Sequence, residues 1–165
     1  MGASVPGIYS DARIALGLLT NILGGPGMNS RLNVALRERR GLVYSVDAST
    51  TMMSDCGLFT IYFGCDPTDA ERCTRLVSNE LERLSTQPLT QRALNAAKQQ
   101  YLGQLVVASD NREQMALNSA RATLYFGKVP TTESVRERIN ALTSEDLLHS
   151  ARHLHPSRFS RLTFT

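Results

Sequence analysis

Apolar positions first recur along the chain at helical spacing. In residues 10–25, SDARIALGLLTNILGG, the side chains of Ile14, Leu18, Leu19 and Ile22 fall along one face of a 3.6-residue turn. Ser10 or Asp11 is placed to cap this helix. Gly24-Gly25-Pro26-Gly27 ends it, because glycine supplies a left-handed C-terminal conformation and proline cannot continue. Asn29 or Ser30 opens a second, shorter helix through Leu32, Ala35 and Leu36, stopped by Gly41. The period then changes to two. Leu42, Tyr44, Val46 and Ala48 alternate with Val43, Ser45, Asp47 and Ser49, which predicts a strand. GLFTIYFG, residues 57–64, is rich in aromatic and branched residues and predicts a second strand. The linker 50–56 suits an antiparallel hairpin with a loose loop, and a lone hairpin needs a larger sheet or helices to be stable in water.

The remainder is mainly helical. Thr68-Asp69-Ala70-Glu71 has capping-box spacing and opens a helix with Ala70, Cys73, Val77, Leu81 and Leu84 on one face. After Gln87-Pro88, Thr90 caps a longer helix carrying Leu94, Ala97, Tyr101 and Leu105. Ser109-Asp110-Asn111 marks a break before a further helix ending at Gly127. Residues 132–142 form a short helix with Val135 and Ile139, and Thr143 or Ser144 caps a last helix that Pro156 terminates. Phe159, Leu162 and Phe164 predict a final strand over 158–165. The expected class is α+β, a mostly antiparallel sheet with helices packed on one face. With three visible strands for so much helix, the sheet is expected to be incomplete at its N-terminal side, the leading strands before Ser10 being shortened or missing.

A chain of 165 residues suits a single domain, here 1–165, and 42% hydrophobic with 20% charged residues excludes wholesale disorder. No stretch approaches the roughly 18 consecutive apolar residues of a membrane span. The start lacks the pattern of a signal peptide, so cytoplasmic and periplasmic settings both stay open. The net charge of +3 is carried mostly by arginine, sixteen against two lysines, interspersed with acidic residues as in Arg37-Glu38-Arg39. With aromatics at only 6%, this pattern disfavours nucleic-acid binding. Three cysteines, Cys56, Cys65 and Cys73, exclude a complete internal disulfide framework and read as small apolar fillers.

Residues 23–64, LGGPGMNSRLNVALRERRGLVYSVDASTTMMSDCGLFTIYFG, carry a specific resemblance. The glycine turn, Ser30-Arg31-Leu32, Leu36-Arg37-Glu38, Arg40-Gly41-Leu42, Tyr44-Ser45-Val46 and Gly57-Leu58-Phe59 match the pattern of the inverted-zincin metallopeptidases. That family includes pitrilysin, insulin-degrading enzyme and mitochondrial processing peptidase. The tail LTSEDLLHSARHLHP is similar to a second family element, with His153 in place of the usual aromatic. The resemblance implies two homologous α+β halves around an enclosed chamber. One half carries H-x-x-E-H, binds zinc and activates water. This sequence has no H-x-x-E-H, its histidines being His149, His153 and His155, so it resembles the non-catalytic, C-terminal type of half-domain. No cofactor is then expected on this chain, and zinc is expected on the partner half.

By the same resemblance Arg37 and Tyr44 reach across the chamber to an extended peptide substrate and support the transition state. The plainer reading makes Arg37 a solvated helix residue and Tyr44 a half-buried strand residue. Gly24, Gly25 and Gly41 read as structural turns, Gly41 with positive φ. Gly24-Gly25-Pro26-Gly27 precedes a helix like a phosphate loop but lacks the glycine-lysine pattern of one. His149, His153 and Glu145 share a helix face, a weak metal pattern without the motif glutamate between the histidines. The expected partners are a zinc-bearing homologous half and extended peptide, with self-association through an open sheet edge if the chain stands alone. The alternative is a catalytically dead scaffold or assembly subunit of the same fold.

Overall fold

One antiparallel sheet organises the molecule, with its strands in the order β1-β3-β2: β1 (Gly2–Val5), β2 (Val43–Met52) and β3 (Gly57–Cys65). The computed structural model describes residues 1–164. Between β1 and β2 lie α1 (Ala12–Gly24) and a six-residue π-helix (Asn33–Glu38). After β3 follow α2 (Ala70–Thr86), α3 (Gln91–Ala108), α4 (Arg112–Phe126), α5 (Thr132–Ala141) and α6 (Ser144–Ala151).

Period-two burial holds along β3. Gly57, Phe59 and Ile61 face the core, while Leu58 and Tyr62 face out. Phe59 and Ile61 pair across the ladder with Thr50 and Ala48 of β2. Phe59 is fully buried and belongs to one apolar cluster with Leu16, Leu19, Leu23, Leu36, Val77 and Leu81. Fully burying a leucine or phenylalanine side chain contributes about 1.5–3 kcal/mol. α1 is buried more widely than the face of Ile14, Leu18, Leu19 and Ile22 suggests. Ala15, Leu16, Leu18, Leu19, Asn21, Leu23 and Gly24 are all buried, because β2, α3, α5 and α6 pack around it.

The α+β class stands, and two strands shift position. A short strand does precede Ser10: Gly2–Val5 pairs antiparallel with Gly57–Thr60, placing Ala3 and Val5 in the core. The strand expected over 158–165 reduces to one bridge, Gly2 to Ser160, closed by hydrogen bonds of 2.8 and 2.9 Å. Leu162 and Phe164 lie exposed instead, and Thr165 falls outside the described residues.

Several helix caps behave as composition requires. Thr90 accepts from the Ala93 N–H, Asn111 from Gln114, and Thr143 with Asp146 forms a reciprocal capping box. The box expected at Thr68–Glu71 does not form: Pro67 starts a tight 3-10 turn through Asp69, and Asp69 caps α2 without a side-chain bond. At α1 the Ser10 hydroxyl accepts from the Ala12 N–H, whereas the Asp11 side chain makes no cap bond. Gly24-Gly25 is not left-handed either, since among the described residues positive φ occurs only at Gly41 and Gly127. Glycine is required at 24 for another reason. A Cβ there would sit 2.4 Å from the Ala48 backbone nitrogen, so its absence lets α1 close onto β2.

Candidate functional site

The segment from Asn33 to Ala48 sets two side chains on either side of a turn. It begins as a helix but widens into a π-turn, in which the Arg39 N–H bonds the Val34 carbonyl five residues back. Leu32, Asn33, Ala35 and Leu36 face inward, and Arg37 emerges exposed at the last turn. Gly41 then reverses the chain at φ +59°, held by Gly41 N–H to Arg37 carbonyl at 2.8 Å and Leu42 N–H to Leu36 carbonyl at 2.9 Å. The Arg40 guanidinium donates to the Ala35 carbonyl at 2.7 Å, a cation on the carbonyl-rich end of the helix.

Beyond the turn, β2 contains a bulge. Val43 pairs with Cys65 and Ser45 with Gly64, leaving Tyr44 as an extra residue in the ladder. Strict alternation puts Tyr44 with Val46 and Ala48 on the core face. The bulge moves that role to Val43, which is buried, and leaves Tyr44 73% exposed. Its hydroxyl donates to Asp66 Oδ1 at 2.5 Å, and this bond, with the nearby charge of the same carboxylate, raises the phenol above its ordinary pKa.

Arg37 and Tyr44 line one open cleft of about 440 Å³, together with Gly24 to Met28, Asn33, and Ser45 to Ala48. The turn glycines Gly24 and Gly25 are therefore one wall of the site, and Gly41 lies in the connection between its two polar groups. Among the described residues no carboxylate pairs with Arg37, which lines the cleft. The free edge of β2 forms the opposite wall. Such a cleft offers a planar cation, a phenol, the Asp47 carboxylate and unpaired strand backbone.

The other chemical candidates do not converge. No group of three or more His, Cys, Asp or Glu among the described residues is arranged to hold a metal ion, and His149 is exposed on α6. Burial, and then the neighbouring Cys65, push the Cys73 thiol up to about 11, which keeps it protonated and poorly nucleophilic at neutral pH. Cys56 is an exposed residue of the hairpin loop. No helix of the described residues is long and apolar enough to cross a membrane.

Comparison with known proteins agrees with the fold and the motif. Residues 1–101 match the family model described as the peptidase M16 inactive domain. This chain is a peptidase M16 inactive domain. An uncharacterized zinc protease of Streptomyces coelicolor is 32% identical over 150 residues, which cover 90% of this chain and 32% of the relative. An uncharacterized zinc protease of Mycobacterium tuberculosis is 31% identical over 159 residues, 96% of this chain and 36% of the relative. The chain thus spans about a third of the length of these curated relatives. Among solved structures, a protease from Helicobacter pylori superposes with a TM-score of 0.80 at 21% identity, covering 91% of this chain and 36% of that one. The peptidase M16 inactive domain from Pseudomonas fluorescens gives 0.74 at 25% identity, covering 92% and 36%. The M16 inactive domain is thereby placed among zinc proteases by family.

One residue lining the cleft, Asn33, and one that bonds Tyr44 from outside the lining, Asp66, escape the sequence pattern. Asn33 is buried at the start of the π-turn, in a stretch that reads as ordinary helix. Asp66 carries one legible signal, an aspartate immediately before proline at the start of a helical turn, which reads as a cap.

Proposed function

We propose that this M16 inactive domain, residues 1–165, is the substrate-holding, chamber-closing non-catalytic half of a zinc-dependent metalloendopeptidase. In this reading Arg37 and Tyr44 face an extended peptide held against a zinc-bearing homologous half, in the same polypeptide or a separate subunit. The observation that carries it is the convergence of an unpaired guanidinium and a bulge-exposed phenol in one cleft beside a strand edge.

The chemistry follows from the groups. Zinc on the other half would supply the activated water; among the described residues of this chain no cluster of His, Cys, Asp or Glu is arranged to hold a metal ion. As water adds to the peptide carbonyl, negative charge gathers on its oxygen. The Arg37 guanidinium, always charged and with donors in a fixed fork, stabilises such charge most when closure removes water. Tyr44 holds the substrate backbone in register with that oxygen. The β2 edge, trimmed by the Gly24–Gly25 turn, offers backbone pairing to an extended chain.

The test is reconstitution with a zinc-bearing homologous half. Arg37→Ala is expected to lower kcat by about 10²–10³-fold with zinc content unchanged, the usual cost of losing one oxyanion donor. Unchanged kinetics in both Arg37→Ala and Tyr44→Phe overturn the roles. The chain alone is expected to hydrolyse no peptide, and chelator-sensitive hydrolysis by the chain alone would contradict the proposal.

A further inference from the structure

Asp66 occupies an unusual position for a capping aspartate. It precedes Pro67 at the start of the 3-10 turn, with φ −63° and ψ 144°, and its backbone carbonyl accepts from the Asp69 N–H at 2.9 Å. The residue before proline is confined to this extended conformation, so the Asp66 backbone is rigid. Aspartate in that position ordinarily accepts a backbone N–H with its side chain. Here the side chain makes no such bond. Its Oδ1 instead takes the Tyr44 hydroxyl at 2.5 Å, across the end of the hairpin. The bulge is what brings the ring there, because Tyr44 is the residue displaced from the ladder.

The direction of this bond constrains what Tyr44 does. A carboxylate has no proton to give, and a phenol has one hydrogen. That hydrogen is committed to Asp66, so the phenol oxygen presents lone pairs to the cleft. We infer that Asp66 is a positioning residue that fixes Tyr44 as a hydrogen-bond acceptor for a substrate peptide N–H, leaving Arg37 as the donor to substrate carbonyl groups. An extended backbone offers one N–H and one C=O per residue, and an acceptor beside a donor reads both. The inference rests on the proposed role of the cleft and assigns its two groups opposite senses. The charged and titratable groups around Tyr44 are Asp66 and Cys65, with Arg37 and Asp47 also lining the cleft.

Two measurements separate this assignment from the proposed role itself. In the isolated chain, 13C-labelled tyrosine NMR with the signal assigned by Tyr44→Phe follows the phenol titration. Wild-type Tyr44 is expected to titrate above N-acetyltyrosinamide, near pH 10. Asp66→Ala returns it to that value, and Asp66→Asn, which keeps an acceptor without charge, lowers it while preserving the fold. The same midpoint in all three proteins overturns the hold of Asp66 on Tyr44. In the enzyme paired with its zinc-bearing half, an amide-to-ester scan along a cleaved peptide removes one N–H at a time. One ester position is expected to raise KM about tenfold in wild type and to have no added effect in Tyr44→Phe. No such position, with Tyr44→Phe still impaired on the all-amide peptide, overturns the acceptor assignment alone. Tyr44→Phe indistinguishable from wild type on the all-amide peptide overturns the role of Tyr44 in the cleft, whatever the NMR result.

Discussion

The body of the domain and its α4 arm are held by different means. In the body, α1, β3 and α2 bury Leu16, Leu19, Phe59, Ile61, Val77 and Leu81 almost completely. α4 has no buried residue, and Leu124 is 84% exposed, Leu117 54% and Met115 47%. The arm is tied down at its C-terminal end, where Tyr9 meets Tyr125 and Phe126 edge-on and the Arg13 guanidinium lies 4.5 Å from the Phe126 ring. Asn111 at one end and Gly127, with φ +69°, at the other supply the remaining definition. The body is thus specified by packing and the arm by capping, so the same substitution means different things in each.

Truncation makes the sharpest contrast. Leu19→Ala is expected to destabilise the domain by about 2–5 kcal/mol in denaturant unfolding, since it opens a cavity that the surrounding elements cannot refill. Leu124→Ala is expected to stay within about 0.5 kcal/mol. Equal costs at the two sites would erase the distinction. The next largest effect lies where the body meets the cleft. Gly24→Ala places a methyl against the Ala48 backbone and is expected to cost about 1–3 kcal/mol, with shifted NMR resonances along β2. Gly41→Ala, at φ +59° but with open space around it, is expected to cost about 1–2 kcal/mol through backbone strain alone. Asn111→Ala removes a cap worth about 1 kcal/mol, expected as faster hydrogen exchange in α4 with little change in the global midpoint.

The smallest effect is a pH dependence. Hydrogen bonds from the Thr143 hydroxyl and backbone N–H hold the Asp146 carboxyl below its ordinary pKa. The stability this adds is fully present above the unfolded value and is lost as pH falls through the lower folded one. Asp146→Asn is expected to flatten the acid limb of the stability curve slightly, Asp146 being exposed to solvent. An unchanged acid limb would show that the capping box contributes nothing through ionisation.

How much of this was legible in the residues varied with the range of the interaction. The face of α2 is a local 3.6-residue pattern, and Cys73, Val77, Leu81 and Leu84 are buried as read while Ala70 in its first turn is only half-buried. The positive φ of Gly41 and the caps at Thr90 and Thr143 are equally local. Gly2–Val5 was hidden because four residues carry too little period to distinguish a strand from a loop. The strand expected near Phe159 failed because alternating apolar residues find no second partner beyond Gly2. In the cleft, the motif marked Arg37 and Tyr44, but alternation over 42–48 continues unbroken through Tyr44. A bulge exists only relative to the strand opposite, so no local pattern announces it. Asp66 was similarly legible as a cap, while its bond to Tyr44 spans 22 residues and depends on the hairpin register.

The bulge also makes Tyr44 separable from the scaffold. Excising the residue outright would leave Val43 and Ser45 adjacent, opposite Cys65 and Gly64, and the inward run of Val43, Val46 and Ala48 would become evenly spaced. A one-residue deletion should therefore yield a straighter, more regular hairpin that has lost its phenol. Architecture and chemistry at this point are encoded by chain length as much as by residue type.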